Sequence, residues 1–334
     1  MKALVYTGVQ ELIYREEQNP KEIEGESIIK VHASGICGSD LHAYHGNDER
    51  RNPPLILGHE VSGTIQNGKY KDKIVVLNPL IACYKCEYCN NKREHLCPDR
   101  TMVGMSKPFQ REGGLAEFIS IPDKNIYIIS KELDSKEAAL TEPTAVAVHA
   151  VQLSKKNLKK PFSKSRILIQ GAGAIGLLCG LLLNKENNCN NIIMSDPNKL
   201  RLKECSKYLD AKLVNPNDKE IKENSFDVVF DTVGLEISRQ QAIHSISPGG
   251  TIVHVGLTQP EGSFNFRKLT IQEITVVGTY CYTNDDFSKS IEILTKKNLG
   301  SLDWIEYRHL KEGAQAFKEI HSGKCISPKI ILLP

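Results

Sequence analysis

The stretch "RILIQGAGAIGLLCGLLLNK", residues 166–185, constrains the fold more than any other. An apolar strand runs into a glycine-rich turn, and the turn runs into a long apolar helix. A strand without a polar face is buried on both sides, as in a parallel sheet covered by helices. The glycines have the spacing Gly171-x-Gly173-x-x-Gly176, with Ala174 and Ile175 between the last two. Gly171 permits a tight turn, Gly173 lets the backbone approach a pyrophosphate, and Gly176 lets the helix pack closely on the sheet. The anion would sit at the helix N-terminus, where free N–H groups and the dipole favour it. A second strand, "NIIMSD", ends in Asp196, 20 residues past Gly176. A carboxylate there accepts from both hydroxyls of an adenosine ribose and repels a 2′-phosphate. NAD is therefore expected over NADP, although Arg201, one turn further on, is a residue able to accommodate such a phosphate.

The same rhythm continues. "PNKLRLKECSKYLDA" reads as a helix, and "KLVNP", "FDVVFDTVG", "GTIVHVG" and "ITVVGTY" read as strands. The expectation is a doubly wound parallel sheet of Rossmann type. It cannot be the whole protein. The chain has 334 residues, and beyond ~250–300 residues a chain splits into domains. The first 80 or so residues are β-rich, with "SIIKVHASG" and "KIVVLNP" between Gly, Pro and Asn turns. Ser130 to about Leu153 reads as helix, as do "DDFSKSIEILTKKN" and "LKEGAQAFKEIHSG". The terminal "PKIILLP" reads as a strand. The fold class is α/β with two domains.

Net charge is +3, which provides no electrostatic footprint for nucleic acid or an anionic membrane. The basic run "KKNLKK" (Lys155–Lys160) reads as solvated surface. The N-terminus lacks the apolar core of a signal peptide. The longest apolar run, "AIGLLCGLLL", is too short to span a bilayer. A cytoplasmic protein is expected.

Ten cysteines in such a chain point to metal or catalysis rather than a disulfide framework. Four have the spacing Cys-x2-Cys-x2-Cys-x7-Cys, at Cys83, Cys86, Cys89 and Cys97. That suits a closed tetrahedral zinc site, ordering a loop too short to own a core. With no open position it carries no chemistry. The spacing does not match ferredoxin runs. A second site can be assembled across the chain from Cys37 in "SGICGSDLHAYHG", His59 and Glu60 in "LILGHEVSG", and Glu142 in "LTEPTAV". A Cys, a His and a carboxylate leave a fourth zinc position open, as catalysis requires.

Taken in order, "GICGSDLH", "GHEVSG", the four-cysteine lobe, "GGLAEF", "EPTAVAVHA" and "GAGAIG" resemble the zinc-dependent medium-chain alcohol dehydrogenase family. The "GHE" plus "EP" pattern is more similar to its polyol branch, which includes sorbitol, butanediol, threonine and sugar-alcohol-phosphate dehydrogenases. The resemblance implies a GroES-like β-rich catalytic domain from both chain ends (1–147 and 282–334, with the zinc lobe at about 80–100). The Rossmann domain (148–281) is inserted between, and the active site lies in the cleft where they meet. It implies two zinc ions per chain. Cys37, His59 and a carboxylate, either Glu60 or Glu142, hold the catalytic one. It also implies that Ser39 takes the substrate proton, that His42 passes it outward, and that Asp40 orients His59. Val233 with Gly234, and Val255 with Gly256, are implied at the adenine-ribose and nicotinamide. Tyr44 and His45 are expected at the cleft edge. Zinc would act as a Lewis acid on the substrate hydroxyl while NAD takes a hydride.

One departure bears on substrate. Sorbitol-type members carry an Arg-Tyr pair after the last Rossmann strand, where this chain reads "TYCYTNDD", with Cys281 in place of Arg and Tyr282 in place of Tyr. That argues against a strict sorbitol-type substrate, and Asp285 and Asp286 give no support for an anionic one. The leading expectation is an NAD-dependent dehydrogenase of a secondary alcohol or polyol. Alternatives are an L-threonine-type or sugar-alcohol-phosphate dehydrogenase, a non-catalytic nucleotide-binding protein, and a nucleic-acid role for the lobe. Relatives imply a homodimer or homotetramer, for which "LTIQEITVVGTY" offers an edge strand.

Overall fold

A computed structural model describes residues 1–217 and 221–334. Six parallel strands form one sheet, in the order Lys212–Val214, Ile192–Ser195, Ile167–Gln170, Phe226–Asp231, Ile246–His254 and Thr275–Gly278. Ile167, Leu168 and Ile169 are fully buried, and burying each contributes about 1.5–3 kcal/mol. The strand order reverses beside Ile167–Gln170. The turn leaving this strand therefore opens into the crevice where such sheets bind ligands.

A second sheet takes strands from both chain ends. Ile126–Ile128, Ile74–Leu77, Glu60–Ile65, Glu26–Gly35, Lys329–Leu333 and Ile305–His309 lie side by side, with Phe118–Pro122 also paired to Glu26–Gly35. Its centre pairs Gly35 with Glu60 on one side and with Ile331 on the other. The residues following Gly35 and those around Glu60 thus emerge together.

One continuous core joins the two sheets. It runs from Ala33, Val76 and Ile129 through the helix Thr141–Lys156 to Ile169 and Val253, and on to Phe287, Trp304 and Ile331. That helix runs through the expected boundary at 147/148. It starts later than its composition suggests, because Ser130–Lys136 is turn and Glu137–Leu140 is a 3₁₀ segment. Pro143 is tolerated in the first turn, where no N–H is needed. A second difference concerns "LTIQEITVVGTY". Its first residues close the short helix Phe266–Ile271, Glu273 takes a positive φ of 49°, and only Thr275–Gly278 is strand. Among the described residues, no helix is long and apolar enough to cross a membrane.

Candidate active site and zinc lobe

Cys37 caps the helix Gly38–Tyr44. Its Sγ accepts from the Ser39 N–H at 3.5 Å, while Asp40 Oδ2 accepts from the Cys37 N–H at 3.0 Å. This reciprocal cap fixes the thiol at the sheet's end. Asp40 is fully buried, with Oδ1 3.4 Å from His59 Nδ1. Burial alone would push the Asp40 carboxyl up, but His59 and Arg51 outweigh it and hold the carboxyl below its usual value. Burial likewise pushes the His59 imidazole down, yet Asp40 and Cys37 raise it well above its ordinary value.

Ligand atoms of Cys37, His59 and Glu60 all lie within 4.8 Å of one another. Glu60 Oε1 is buried without a hydrogen bond, and Oε2 is ion-paired to Lys329, itself buried. A side chain at Gly35 would collide with the Glu60 carboxylate. A clustered thiol, imidazole and carboxylate with an orphaned oxygen fit a zinc ion with one position open. Glu142 lies outside this cluster but lines the same cavity as Cys37, Ser39, His42 and His59. Burial pushes its carboxyl up to about 7, with His59 pulling it down and Glu60 pushing it up.

Ser39 Oγ stands 3.5 Å from His59 Nε2. The relay reading puts His42 beyond it, and His42 does line the cavity. However, the structure shows no hydrogen bond between them. Ser39 is instead held by Arg51, which donates to its Oγ at 3.2 Å. His45 lines the cavity and sits 2.7 Å from His321 on the C-terminal segment. Tyr44 is not at the cleft edge. It is buried against Phe317, because its alternate helix face points into the core. On the opposite wall, Cys281 has a positive φ of 47° and lines the cavity, whereas Tyr282 is buried near Glu142. Asp285 is exposed beside Lys92, and Asp286 caps its own helix and holds His149 at 2.8 Å.

The cofactor-side residues line two adjoining cavities. Gly171 has a φ of 100°, open only to glycine at low cost. A side chain at Gly176 would strike the Gly171 carbonyl, whereas nothing lies within 4 Å of one at Gly173. That free space, over the N-terminus of Ala174–Leu181, fits a pyrophosphate. Asp196 accepts from the Ala172 N–H at 2.9 Å and the Asn198 N–H at 2.8 Å. Arg201 donates to the Cys325 carbonyl at 3.1 Å. Ala174, Ile175, Asp196 and Arg201 line a cavity of about 510 Å³, and Val233, Val255 and Gly256 line the adjoining one of about 380 Å³. Gly234 and Gly256 pack backbone to backbone, so neither admits a side chain.

In the lobe, Cys83 Sγ is 3.9 Å and Cys86 Sγ 3.5 Å from Cys89 Sγ, and Cys97 Sγ accepts from the Cys83 N–H at 3.4 Å. Zn–S bonds of ~2.3 Å give tetrahedral edges of about 3.8 Å, so the four thiols fit a zinc ion. The apolar core here amounts to Ala82, Cys89 and Cys97 with their partly buried neighbours, too little to order the loop unaided. Of the other cysteines, Cys179, Cys189, Cys205 and Cys325 are buried.

Sequence reasoning missed Arg51 and Lys329. Their one available signal was a cation within an otherwise strand- or turn-like stretch, which reads as surface.

Two family profiles match this chain: "Alcohol dehydrogenase GroES-like domain" over residues 23–131 and "Zinc-binding dehydrogenase" over 174–296. The chain belongs to the zinc-dependent medium-chain alcohol and polyol dehydrogenase family. It is similar to a sorbitol dehydrogenase of Halalkalibacterium halodurans, at 28% identity over 100% of this chain and 99% of that protein. It is also similar to an L-galactonate-5-dehydrogenase of Escherichia coli, at 28% identity over 92% of each. Among solved structures, an alcohol dehydrogenase from Thermus sp. ATN1 superposes with a TM-score of 0.91 at 21% identity, covering 100% of both chains. Galactitol-1-phosphate dehydrogenase from Escherichia coli gives 0.87 at 24%, again over 100% of both.

Proposed function

We propose that this chain oxidises a secondary alcohol or polyol with NAD, in the cleft between residues 1–147 with 282–334 and residues 148–281. One observation carries this reading. The cavity holding Cys37, His59 and Glu142 and the cavity holding the glycine turn share Cys37, Gly38, Leu41, Ile175, Val233 and Thr258 along their walls. A metal-ligand cluster and a dinucleotide turn therefore open onto one space. Zinc held by Cys37, His59 and a carboxylate would polarise the alcohol oxygen, and NAD on the glycine turn would accept the hydride. The chain's own part is to position and to move a proton. Asp40 orients His59. Ser39 would take the alcohol proton, and His42, lining the same cavity, would pass it outward. Cys281 gives the substrate wall a neutral thiol, which favours an uncharged hydroxylated substrate. The anchored Asp196 carboxylate supports NAD. Ten unpaired cysteines fit a reducing, cytoplasmic compartment.

NADH formation across sugar alcohols, diols and amino alcohols tests the reading. Turnover is expected on at least one polyol or secondary alcohol. Cys37→Ser is expected to abolish it and to halve the zinc content. Full activity of Cys37→Ser, or no turnover by the parent chain, would defeat it.

A further inference from the structure

Arg51 is a large side chain buried to 2% exposure, and the mechanism above gives it no part. A buried guanidinium is expensive unless its N–H groups are met. Here they are met by specific partners. Nε donates to the Gly104 carbonyl at 3.1 Å. Nη1 donates to the Ser39 carbonyl at 3.1 Å and to Asp48 Oδ2 at 2.5 Å. Nη2 donates to Ser39 Oγ at 3.2 Å, and lies 4.0 Å from Asp40 Oδ1. The fork thus grips Ser39 by backbone and side chain together, and Arg51 itself borders the cavity.

A serine hydroxyl has one proton to donate and two lone pairs. Arg51 has no acceptor, so the hydroxyl proton cannot point at it. One lone pair is taken by the guanidinium. His59 Nε2, 3.5 Å away, would be taken up by the metal in the zinc-loaded enzyme, its Nδ1 facing Asp40. One lone pair and one proton of the hydroxyl therefore remain, which is what passing a single proton through an oxygen requires.

We propose that Arg51 is a positioning residue for the proton step: it holds Ser39 Oγ so that its free lone pair and its proton face the cavity. The inference rests on the alcohol-oxidation reading. In the step, the alcohol O–H bond breaks and a new O–H bond forms at Ser39 Oγ. The proton Ser39 already carried passes through solvent in the cavity to the His42 imidazole, which lines the same cavity and from there releases it outward, so Ser39 ends as it began.

The test is a double-mutant cycle on the zinc-loaded, full-length enzyme, with Arg51→Met and Arg51→Lys each made in the parent and in Ser39→Ala. In the parent, Arg51→Met is expected to lower kcat by about tenfold or more, with KM for the alcohol held within about twofold. Arg51→Lys, which keeps the charge but not the fork, is expected to fall between. Zinc content should stay at the parent level. In Ser39→Ala, neither change should lower kcat further, because residues acting as one unit are non-additive. Equal losses in both backgrounds, an unchanged kcat, or a drop in zinc content would each overturn the role. If Arg51→Met does not fold, the Arg51→Lys arm decides by the same criteria. A parent enzyme that turns over while Arg51 variants match it sinks this inference alone. A parent without alcohol-dependent NADH formation sinks the function and this role with it.

Discussion

Glu60 has two partners for its charge, and they come from different places. Lys329 reaches it from the last strand, its Nζ also donating to the Ile36 carbonyl at 2.8 Å. The metal cluster reaches it from Cys37 and His59. Removing one partner of a buried pair leaves an uncompensated charge, at a cost of about 3–5 kcal/mol. Lys329→Met is therefore expected to destabilise the metal-free protein by roughly 3 kcal/mol or more, read from the urea midpoint. If Glu60 is a zinc ligand, bound zinc supplies the missing positive charge, and the loss should shrink in the zinc-loaded protein. An equal loss with and without zinc would assign the ligand role to Glu142. The choice between the two carboxylates was open in the sequence because both flank obvious motifs. What distinguishes them is a lysine some 270 residues away in sequence from one of them, and no local pattern reports that.

The strand–turn–helix element shows why some glycines carry function and others carry packing. Gly173 has ordinary extended dihedrals, φ −82° and ψ −175°, with open space where a side chain would go. Gly176 has no such space. Gly173→Ala is expected to leave thermal stability nearly unchanged while weakening NADH binding about tenfold or more, followed by NADH fluorescence. Gly176→Ala is expected to lower stability itself, since the helix must move off the sheet. Equal effects of both substitutions on melting would contradict this division. Elements of this kind were legible in the sequence. The central parallel strand, Ile167–Gln170, is buried along its whole length, the glycine spacing is dictated by contact, and the lobe cysteines are close along the chain. Less legible were features set by distant packing. The start of the helix at Thr141 depends on the 3₁₀ turn before it. Tyr44 reads as a rim residue until Phe317 arrives from the C-terminal segment to cover it. Arg51 reads as part of a charged run, "DERR", until Gly104 and Ser39 close around it.

At the scale of the whole molecule, the cleft works only if two sheets keep their relative placement, and the core shared between them through Thr141–Lys156 supplies that. Among the described residues, the parallel sheet nonetheless ends in a strand with one unpaired edge, Thr275–Gly278. Its burial alternates, and Val276 is 43% exposed. An apolar edge strand is a template for pairing with another chain unless something covers or charges it. A second copy is a self-complementary partner for such an edge, since a two-fold axis pairs a strand with itself. We propose that a homodimer or homotetramer, which the family resemblance implies, would use this edge to continue the sheet across two subunits. Val276→Lys places a charge on the edge's exposed face, and is expected to shift sedimentation equilibrium toward the 37.3 kDa single chain without lowering the helix content seen by circular dichroism. A parent chain already monomeric at micromolar concentration, or an assembly indifferent to the lysine, would place the interface elsewhere or remove it.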